Sequence, residues 1–215
     1  MRIRNWLLLV VLLLAVWVAA DLGFGHSSSL RRFDGHAVGR LETAMWRSYY
    51  GHNSLKLFGE LVETLRRQYH MPFWRSCLGA YHAARAAIVF QRGHNRAEYE
   101  QALPDLKDFY AMIRRGSDVP FDSDKAAVLE LEWWIIHRER VQHAPGDLER
   151  SLAALQAEIY QCPESRFTEH AKARAEAMLI RDGRAEAGGV SEQDWQQIGA
   201  LLDSSWDSLQ RAVAE

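Results

Sequence analysis

The sequence predicts an all-α protein: antiparallel helical hairpins packed as a bundle or short α-solenoid, preceded by an N-terminal membrane-anchor or signal helix. Three observations lead to this fold class. Apolar residues recur at helical spacing through most of the chain. Capping residues and helix-ending glycines divide the chain into segments of helix length. Sustained alternation of apolar and polar residues, the mark of half-buried strands, is lacking.

Composition excludes several classes of protein. The chain has 215 residues, of which 48% are hydrophobic, and a formal net charge of −2. It is therefore too apolar to be disordered and long enough to bury a core. Cys77 and Cys162 are too few for a disulfide scaffold, and they are expected to form either one bridge or two free thiols. Because the charge balance is slightly acidic, we expect no nucleic-acid partner.

The N-terminus carries the most specific signal. A basic start precedes a charge-free apolar run over 6–20, which Asp21 ends. At a rise of about 1.5 Å per residue the run is roughly 22 Å long, against a hydrocarbon core of about 30 Å. The sequence therefore predicts over 1–25 either a single-pass anchor, with the following domain outside the cytoplasm, or a signal peptide. In the second case, cleavage near Ala20 gives a secreted or periplasmic protein.

Composition also divides the rest of the chain. We expect a polar tether over 26–33, a helical domain over 34–182, a glycine-rich link over 183–190 and a C-terminal amphipathic helix over 191–215. The last helix is expected either to dock on its own domain or to bind the groove of a partner.

Capping residues predict the helices in order. The predicted helices run from Asp34 to Tyr50, from Ser54 to His70, from Pro72 to Arg92, from Asn95 to Arg115, from Asp122 to Val141, from Asp147 to Gln161, from Pro163 to Arg181 and from Ser191 to Val213. Pro104 lies inside the fourth and predicts a kink or a break there. The recurring helix–turn–helix unit leaves a bundle and a solenoid both open.

Several charged residues lie on helix faces that are otherwise apolar. Glu42 interrupts the apolar stripe of the first predicted helix, and Arg85 lies among small residues in the third. In the fifth helix, which is apolar on nearly every face, Glu130 and His137 share one stripe. Because unpaired buried charges are costly, we expect Glu42, Arg85, Glu130 and His137 to meet. Further candidates for this buried cluster are Tyr81, His82 and Glu132.

Two interpretations of the cluster remain open. A buried ion network would fix the register of the helices. Carboxylates and a histidine that project inward from different helices would instead hold a metal ion or small ligand. Since the paired Glu-x-x-His of di-iron bundles is lacking and an arginine opposes a cation, we predict no metal ion and no cofactor. A pocket beside the cluster would favour a ligand site.

Motifs for common chemistries are also lacking, among them His-Glu-x-x-His, Gly-x-Ser-x-Gly and the phosphate-binding Gly-x-x-x-x-Gly-Lys. We therefore predict no catalytic residues. The expected function is a non-enzymatic interaction or assembly module at the cell envelope, in contact with the membrane through its N-terminal helix and with a protein partner. The alternative is a metal- or small-ligand-binding helical bundle, with or without enzymatic activity, that uses the buried Glu/Arg/His cluster.

Overall fold

The computed structural model describes residues 2–23 and 28–214, and these residues form the predicted all-α fold. The ends of the predicted leader, 1–25, and the first residues of the predicted tether, 26–27, lie outside the described residues. The α-helices are α1 (Arg2–Gly23), α2 (Gly35–Tyr50), α3 (Ser54–Gln68), α4 (Phe73–Arg92), α5 (Arg96–Tyr99), α6 (Leu103–Arg115), α7 (Ser123–Arg138), α8 (Asp147–Tyr160), α9 (Thr168–Glu186) and α10 (Glu192–Ala214).

Side-chain caps set the starts of several helices. The carboxylate of Asp34 accepts a hydrogen bond from the amide of Ala37 at 3.0 Å, as the sequence predicts for the start of α2. Asp122 caps α7 in the same way. The cap of α3 is Asn53, one residue before the predicted Ser54. Either short polar side chain suits an N-cap, so the sequence alone does not separate the two.

The predicted break near Pro104 is present. A 3₁₀ turn over Glu100–Ala102 separates α5 from α6, and the proline lies in the first turn of α6, where its missing amide hydrogen costs nothing. The region predicted as a link, 183–190, is helical as far as Glu186 because α9 continues through Gly183. Both cysteines are free thiols.

The helices after α1 close into a ring. Neighbours in the chain pack side by side in the order α2, α3, α4, α6, α7, α8, α9 and α10. The last helix, α10, then packs against α2 as well as against α9. Short connections make these neighbours antiparallel, as in a helical bundle. The C-terminal helix therefore docks on its own domain and completes the ring.

Two glycines on one face of α2 allow the ring to close. A Cβ atom at Gly35 would lie 2.6 Å from the carbonyl oxygen of Trp206, and one at Gly39 would lie 2.7 Å from the Cα of Asp203. Both distances are too short for any side chain, so the backbones of α2 and α10 touch. The same face is joined by a hydrogen bond of 2.8 Å from the amide of Gly35 to Oε1 of Gln210.

The base of the ring is filled by the segment that the sequence suggests is a tether. Leu30 and Phe33 are buried there, and the ring of Phe33 packs against Tyr160 and Trp206. The amide of Leu30 donates a hydrogen bond to Asp118 at 3.0 Å. From residue 28 onward this segment is thus part of the core, because burial of its two large apolar side chains stabilises the fold more than exposure of its polar residues to water would.

The N-terminal helix is long and apolar enough to cross a membrane, a property that signal sequences share. Its stretch Asn5–Gly23 has 19 residues and a mean hydropathy of 2.4, and its side chains are largely exposed. The end of α1 is attached to the start of α4. Carboxylate oxygens of Asp21 accept hydrogen bonds from the amides of Trp74 and Arg75, at 3.1 and 3.2 Å. In return, Arg75 donates to the carbonyl oxygen of Asp21 at 3.0 Å.

The close contact between α2 and α10 predicts opposite effects for two glycine substitutions. Gly39→Ala forces the two backbones apart, and we expect a loss of about 1–3 kcal/mol in the free energy of unfolding. Gly59→Ala is the matched control, since a Cβ there meets nothing within 4 Å. In the interior of α3 it is expected to add up to about 1 kcal/mol through helix propensity. Urea unfolding followed by tryptophan fluorescence measures both, and equal effects would contradict the backbone contact.

Candidate functional site

A cavity of about 740 Å³ occupies the centre of the ring, and it opens to solvent. Every ring helix contributes to its wall. Its floor includes the buried residues Glu42, Tyr110 and Trp206. Its rim is formed where α2, α4, α7 and α9 end and α3 begins. Exposed rim residues are His52, Ser54, Ile88, Gln91 and Arg138.

A buried ion pair lies on the cavity floor at the closure of the ring. Glu42 on α2 accepts hydrogen bonds from Nη2 and Nε of Arg174 on α9, at 2.6 and 3.0 Å. The indole nitrogen of Trp206 on α10 donates to the second carboxylate oxygen. Burial alone would lower the pKa of Arg174, but the nearby carboxylates of Glu42 and Glu130 outweigh it and raise the pKa. The guanidinium is therefore charged, and it also lies over the ring of Trp133 at 5.1 Å.

A buried histidine, His170, packs against Trp206, which donates a hydrogen bond to this ion pair. Nδ1 of His170 lies 3.1 Å from the carbonyl oxygen of Ser205, which can only accept, so Nδ1 carries the hydrogen. The His170 ring meets the Trp206 ring edge to face at 5.4 Å. Burial and the charge of Arg174 lower the pKa of His170 to about 3, so the ring is neutral and packs as part of the core.

Glu130 lies on the same cavity wall with different partners. Its oxygens accept hydrogen bonds from the hydroxyl of Tyr110 at 2.8 Å and from the indole nitrogen of Trp134 at 2.9 Å. Burial, followed by the charge of Glu130, raises the pKa of Tyr110 well above its ordinary value. The phenol is therefore a neutral donor. The predicted stripe of Glu130, Trp134 and His137 faces the cavity as a whole.

His137 lies near the rim, away from the other acidic residues of the predicted cluster. Its Nε2 is 3.0 Å from a carboxylate oxygen of Asp182 on α9. Arg140 and Arg181 approach the same carboxylate at 3.3 and 3.2 Å. Burial would raise the pKa of Asp182, but its contacts with His137 and the two arginines outweigh burial and lower the pKa.

The prediction that Arg85 joins the buried cluster is wrong. The Arg85 side chain is 53% exposed, and its Nε pairs with a carboxylate oxygen of Asp105 at 3.4 Å. Of the small residues around Arg85 in α4, Ala83, Ala84 and Ala87 line the cavity, whereas the arginine itself lies on the outside of the ring. Arg174 takes the interior position that the sequence assigns to Arg85.

The further candidates of the cluster also lie outside the cavity. His82 pairs with Asp105 at 2.9 Å, next to Arg85. Tyr81 is exposed and packs under the Arg85 guanidinium, whose Cζ lies 5.5 Å from the ring centroid. Glu132 forms an ion pair with Arg96 at 2.7 Å.

One group of side chains on the outer face could approach a metal ion. Ligand atoms of His82, Asp105 and Asp108 lie within 4.8 Å of one another. Arg85 already neutralises Asp105, and Asp108 is exposed, so the group is an outer ion-pair cluster rather than a shaped site.

Five buried polar atoms in the cavity wall lack a hydrogen-bond partner within the described chain. Two of them, Nε2 of His137 and Nε of Arg181, lie at ion-pair distance from Asp182. The other three are Oε1 of Gln156, the indole nitrogen of Trp133 and Oγ of Ser48. Gln156 is 4% exposed and Ser48 is 3% exposed. Buried polar groups are almost always satisfied, so atoms left open toward a cavity mark where a bound molecule or water makes its contacts.

The sequence identifies Glu42 and Glu130 as inward-facing carboxylates, but it does not identify Arg174 as the partner of Glu42. Arg174 sits in a helix as rich in small residues as α4, with Ala171, Ala175 and Ala177 buried around it. Two helices thus carry the same signal of an arginine among alanines. Only their order around the ring decides which arginine faces inward.

Comparison of the chain with protein-family models, with curated proteins and with solved structures gives no match. The geometry of the cavity is therefore the main indication of function.

The buried ion pair predicts a large difference between two arginine substitutions. Arg174→Met leaves Glu42 buried without its cation, and we expect a loss of about 3–5 kcal/mol in the free energy of unfolding. Arg85→Met is the matched control on the outer surface, where an exposed pair contributes about 0–1 kcal/mol. Adding Glu42→Gln to Arg174→Met should recover part of the loss. Urea unfolding measures all three, and equal losses for the two arginines would contradict the assignment.

Proposed function

We propose that the protein is a membrane-anchored domain outside the cytoplasm that binds a small molecule in the central cavity of its ring. The observation that carries the proposal is the cavity itself, which lies beside Glu42 and Glu130 and contains buried polar atoms without partners. This is the ligand-binding alternative of the sequence analysis. The pocket beside the cluster favours it over a pure interaction module.

The shape and lining of the cavity suit a small organic molecule. Ligand pockets in proteins are concave, mostly apolar, about 300–1,000 Å³ in volume, and carry a few placed polar groups. The cavity here has a volume of about 740 Å³ and is rich in aromatic side chains, with Glu130, Arg174 and Gln156 among them. A ring of helices that merely needed stability would fill this space with side chains, because a void forfeits packing contacts.

The position of α1 supports a cavity mouth that faces away from the membrane. Trp17 of α1 stacks on Phe73 and meets Trp74 edge to face, with ring centroids 6.0 and 5.4 Å away, at the start of α4. The α4 residues that line the cavity begin at Ala83, about 15 Å further along the helix. The basic N-terminus of α1 orients the anchor with the domain outside the cytoplasm. A ligand would then reach the rim from the extracytoplasmic side.

Retention of α1 is the first part of the proposal to test. Because Trp17 packs on α4, we expect the protein expressed in bacterial cells to fractionate with membranes. Its intact mass should be that of the chain beginning at Met1. Signal-peptidase cleavage after Ala20 would remove Trp17 and leave a chain beginning at Asp21. A soluble protein with that shorter mass would overturn the anchor and leave a secreted or periplasmic domain.

Ligand binding is tested with a neutral probe of the apolar lining, phenethyl alcohol. We expect saturable quenching of tryptophan fluorescence by the full-length protein in phosphatidylcholine nanodiscs, since several tryptophans line the cavity. Ala84→Trp fills the cavity and should abolish the saturable phase. Ala200→Trp adds the same side chain at an exposed position of α10 and should leave it intact.

The outcome of this pair of variants decides where the probe binds. If Ala84→Trp binds phenethyl alcohol as well as the unmodified protein does, the probe binds elsewhere and the cavity is not a ligand site. If both tryptophan variants lose binding while their urea midpoints stay unchanged, the effect is not specific to the cavity and the proposal also fails.

A further inference from the structure

We infer that the central cavity takes an organic cation, an amine carried on an aromatic or apolar group, with its charge against Glu130. The inference rests on the proposed function, since it names the ligand class of the same cavity. Three observations support it: the way the charged groups of the cavity wall are paired, the aromatic side chains of the lining, and a buried acceptor without a hydrogen-bond partner.

Among the cavity carboxylates of the described residues, Glu130 is the one without an ion pair, although Arg174 lies near enough for the charge of Glu130 to act on it. Glu42 is paired with Arg174, and the carboxylate of Asp182 is paired with Arg140 and Arg181 at the rim. Within the described ranges 2–23 and 28–214, Glu130 forms no ion pair, and its hydrogen bonds come from the neutral donors Tyr110 and Trp134. A carboxylate offers about four lone-pair sites, so these two contacts leave room for a charged donor.

The arginines that line the cavity are already engaged by acceptors of the protein itself. Their partners are Glu42 for Arg174, Asp182 for Arg140 and Arg181, and the carbonyl groups of Phe90, Gln91 and Gly93 for Arg138. An anionic ligand would have to take an arginine from these acceptors and leave a carboxylate or a helix end without its partner, which is costly. A cationic ligand would leave these contacts between the arginines and their acceptors in place.

Aromatic side chains surround the position of Glu130. Tyr110 and Trp134 contact its carboxylate directly, and Tyr69 lies close enough that the charge of Glu130 acts on its phenol. Aromatic ring faces attract cations by about 0.5–2 kcal/mol, most strongly where water is excluded. A carboxylate framed by aromatic rings is the arrangement with which proteins bind ammonium groups, and it also suits the apolar part of the ligand.

Gln156 supplies a further acceptor. Its Oε1 lies in the cavity wall, is buried, and has no donor within the described chain. An ammonium or amine N–H satisfies such an oxygen directly, whereas a ligand that carries only acceptors leaves it unpaired. The unpartnered indole nitrogen of Trp133 in the same wall would be satisfied by a hydroxyl or ether oxygen on the ligand.

Three compounds of similar size and different charge test the inference. Phenethylamine is a cation, phenethyl alcohol is neutral, and phenylacetate is an anion. We expect isothermal titration calorimetry on the full-length protein in phosphatidylcholine nanodiscs to give a Kd about tenfold lower for phenethylamine than for phenethyl alcohol, which corresponds to about 1.4 kcal/mol. Phenylacetate should bind most weakly.

Two glutamate variants on α7 locate the source of this preference. Glu130→Gln should remove the advantage of phenethylamine over phenethyl alcohol. Glu132→Gln removes the same charge two residues away, at a side chain that pairs with Arg96 outside the cavity, and should preserve the advantage. If Glu130→Gln fails to fold, the comparison of the three compounds on the unmodified protein still tests whether the cavity prefers a cation.

The possible failures are distinct. If phenethyl alcohol or phenylacetate binds as tightly as phenethylamine, and Ala84→Trp abolishes that binding, the cavity is a ligand site and the cation inference is wrong. If none of the three compounds binds, or Ala84→Trp leaves their binding unchanged, the proposed function itself is wrong. A preference for the amine that survives Glu130→Gln would also overturn the assignment to Glu130.

Discussion

The contact between α2 and α10 is the constraint on which the rest of the structure depends, because it turns a row of helical hairpins into a closed ring. Without it the same hairpins would form an open solenoid with an uncovered face at each end. Gly35 and Gly39 make the contact possible by letting two helix backbones touch. Once the ring is closed, each helix has two neighbours and an inner face, and the inner faces together enclose the cavity.

The buried charges lie where the closing helices meet, so they are paired only in the closed ring. Glu42, Arg174 and Trp206 come from the three helices that meet at the closing contact, so the ion pair exists only when α2, α9 and α10 are together. Such a pair contributes little net stability compared with apolar packing, but it strongly disfavours arrangements that separate its members. A hollow centre also forgoes packing energy. A buried ion pair and an unfilled cavity are both tolerated more readily in a binding site than in a core whose only role is stability.

Much of the fold follows from the sequence, because caps and prolines act locally. Asp34 and Asp122 mark helix starts, and Pro104 marks the break before α6. Glu42 and Glu130 are recognisable as inward-facing because each interrupts an apolar stripe. The choice between Arg85 and Arg174 is not local, since both lie among alanines and only the order of helices around the ring separates them. Ring closure is likewise invisible in the sequence, where Gly35 and Gly39 carry no indication of their partner.

The path of the chain also has a consequence for the order in which the molecule assembles. The closing contact joins residues near 35–39 to residues near 202–207, almost the full length of the domain apart. During synthesis α2 emerges early, and its glycine face stays uncovered until the last helix follows. Contacts of such long sequence separation form slowly and leave apolar surface exposed meanwhile. The cavity is therefore the last feature of the domain to be completed, and a chain truncated before α10 would have the hairpins but no interior.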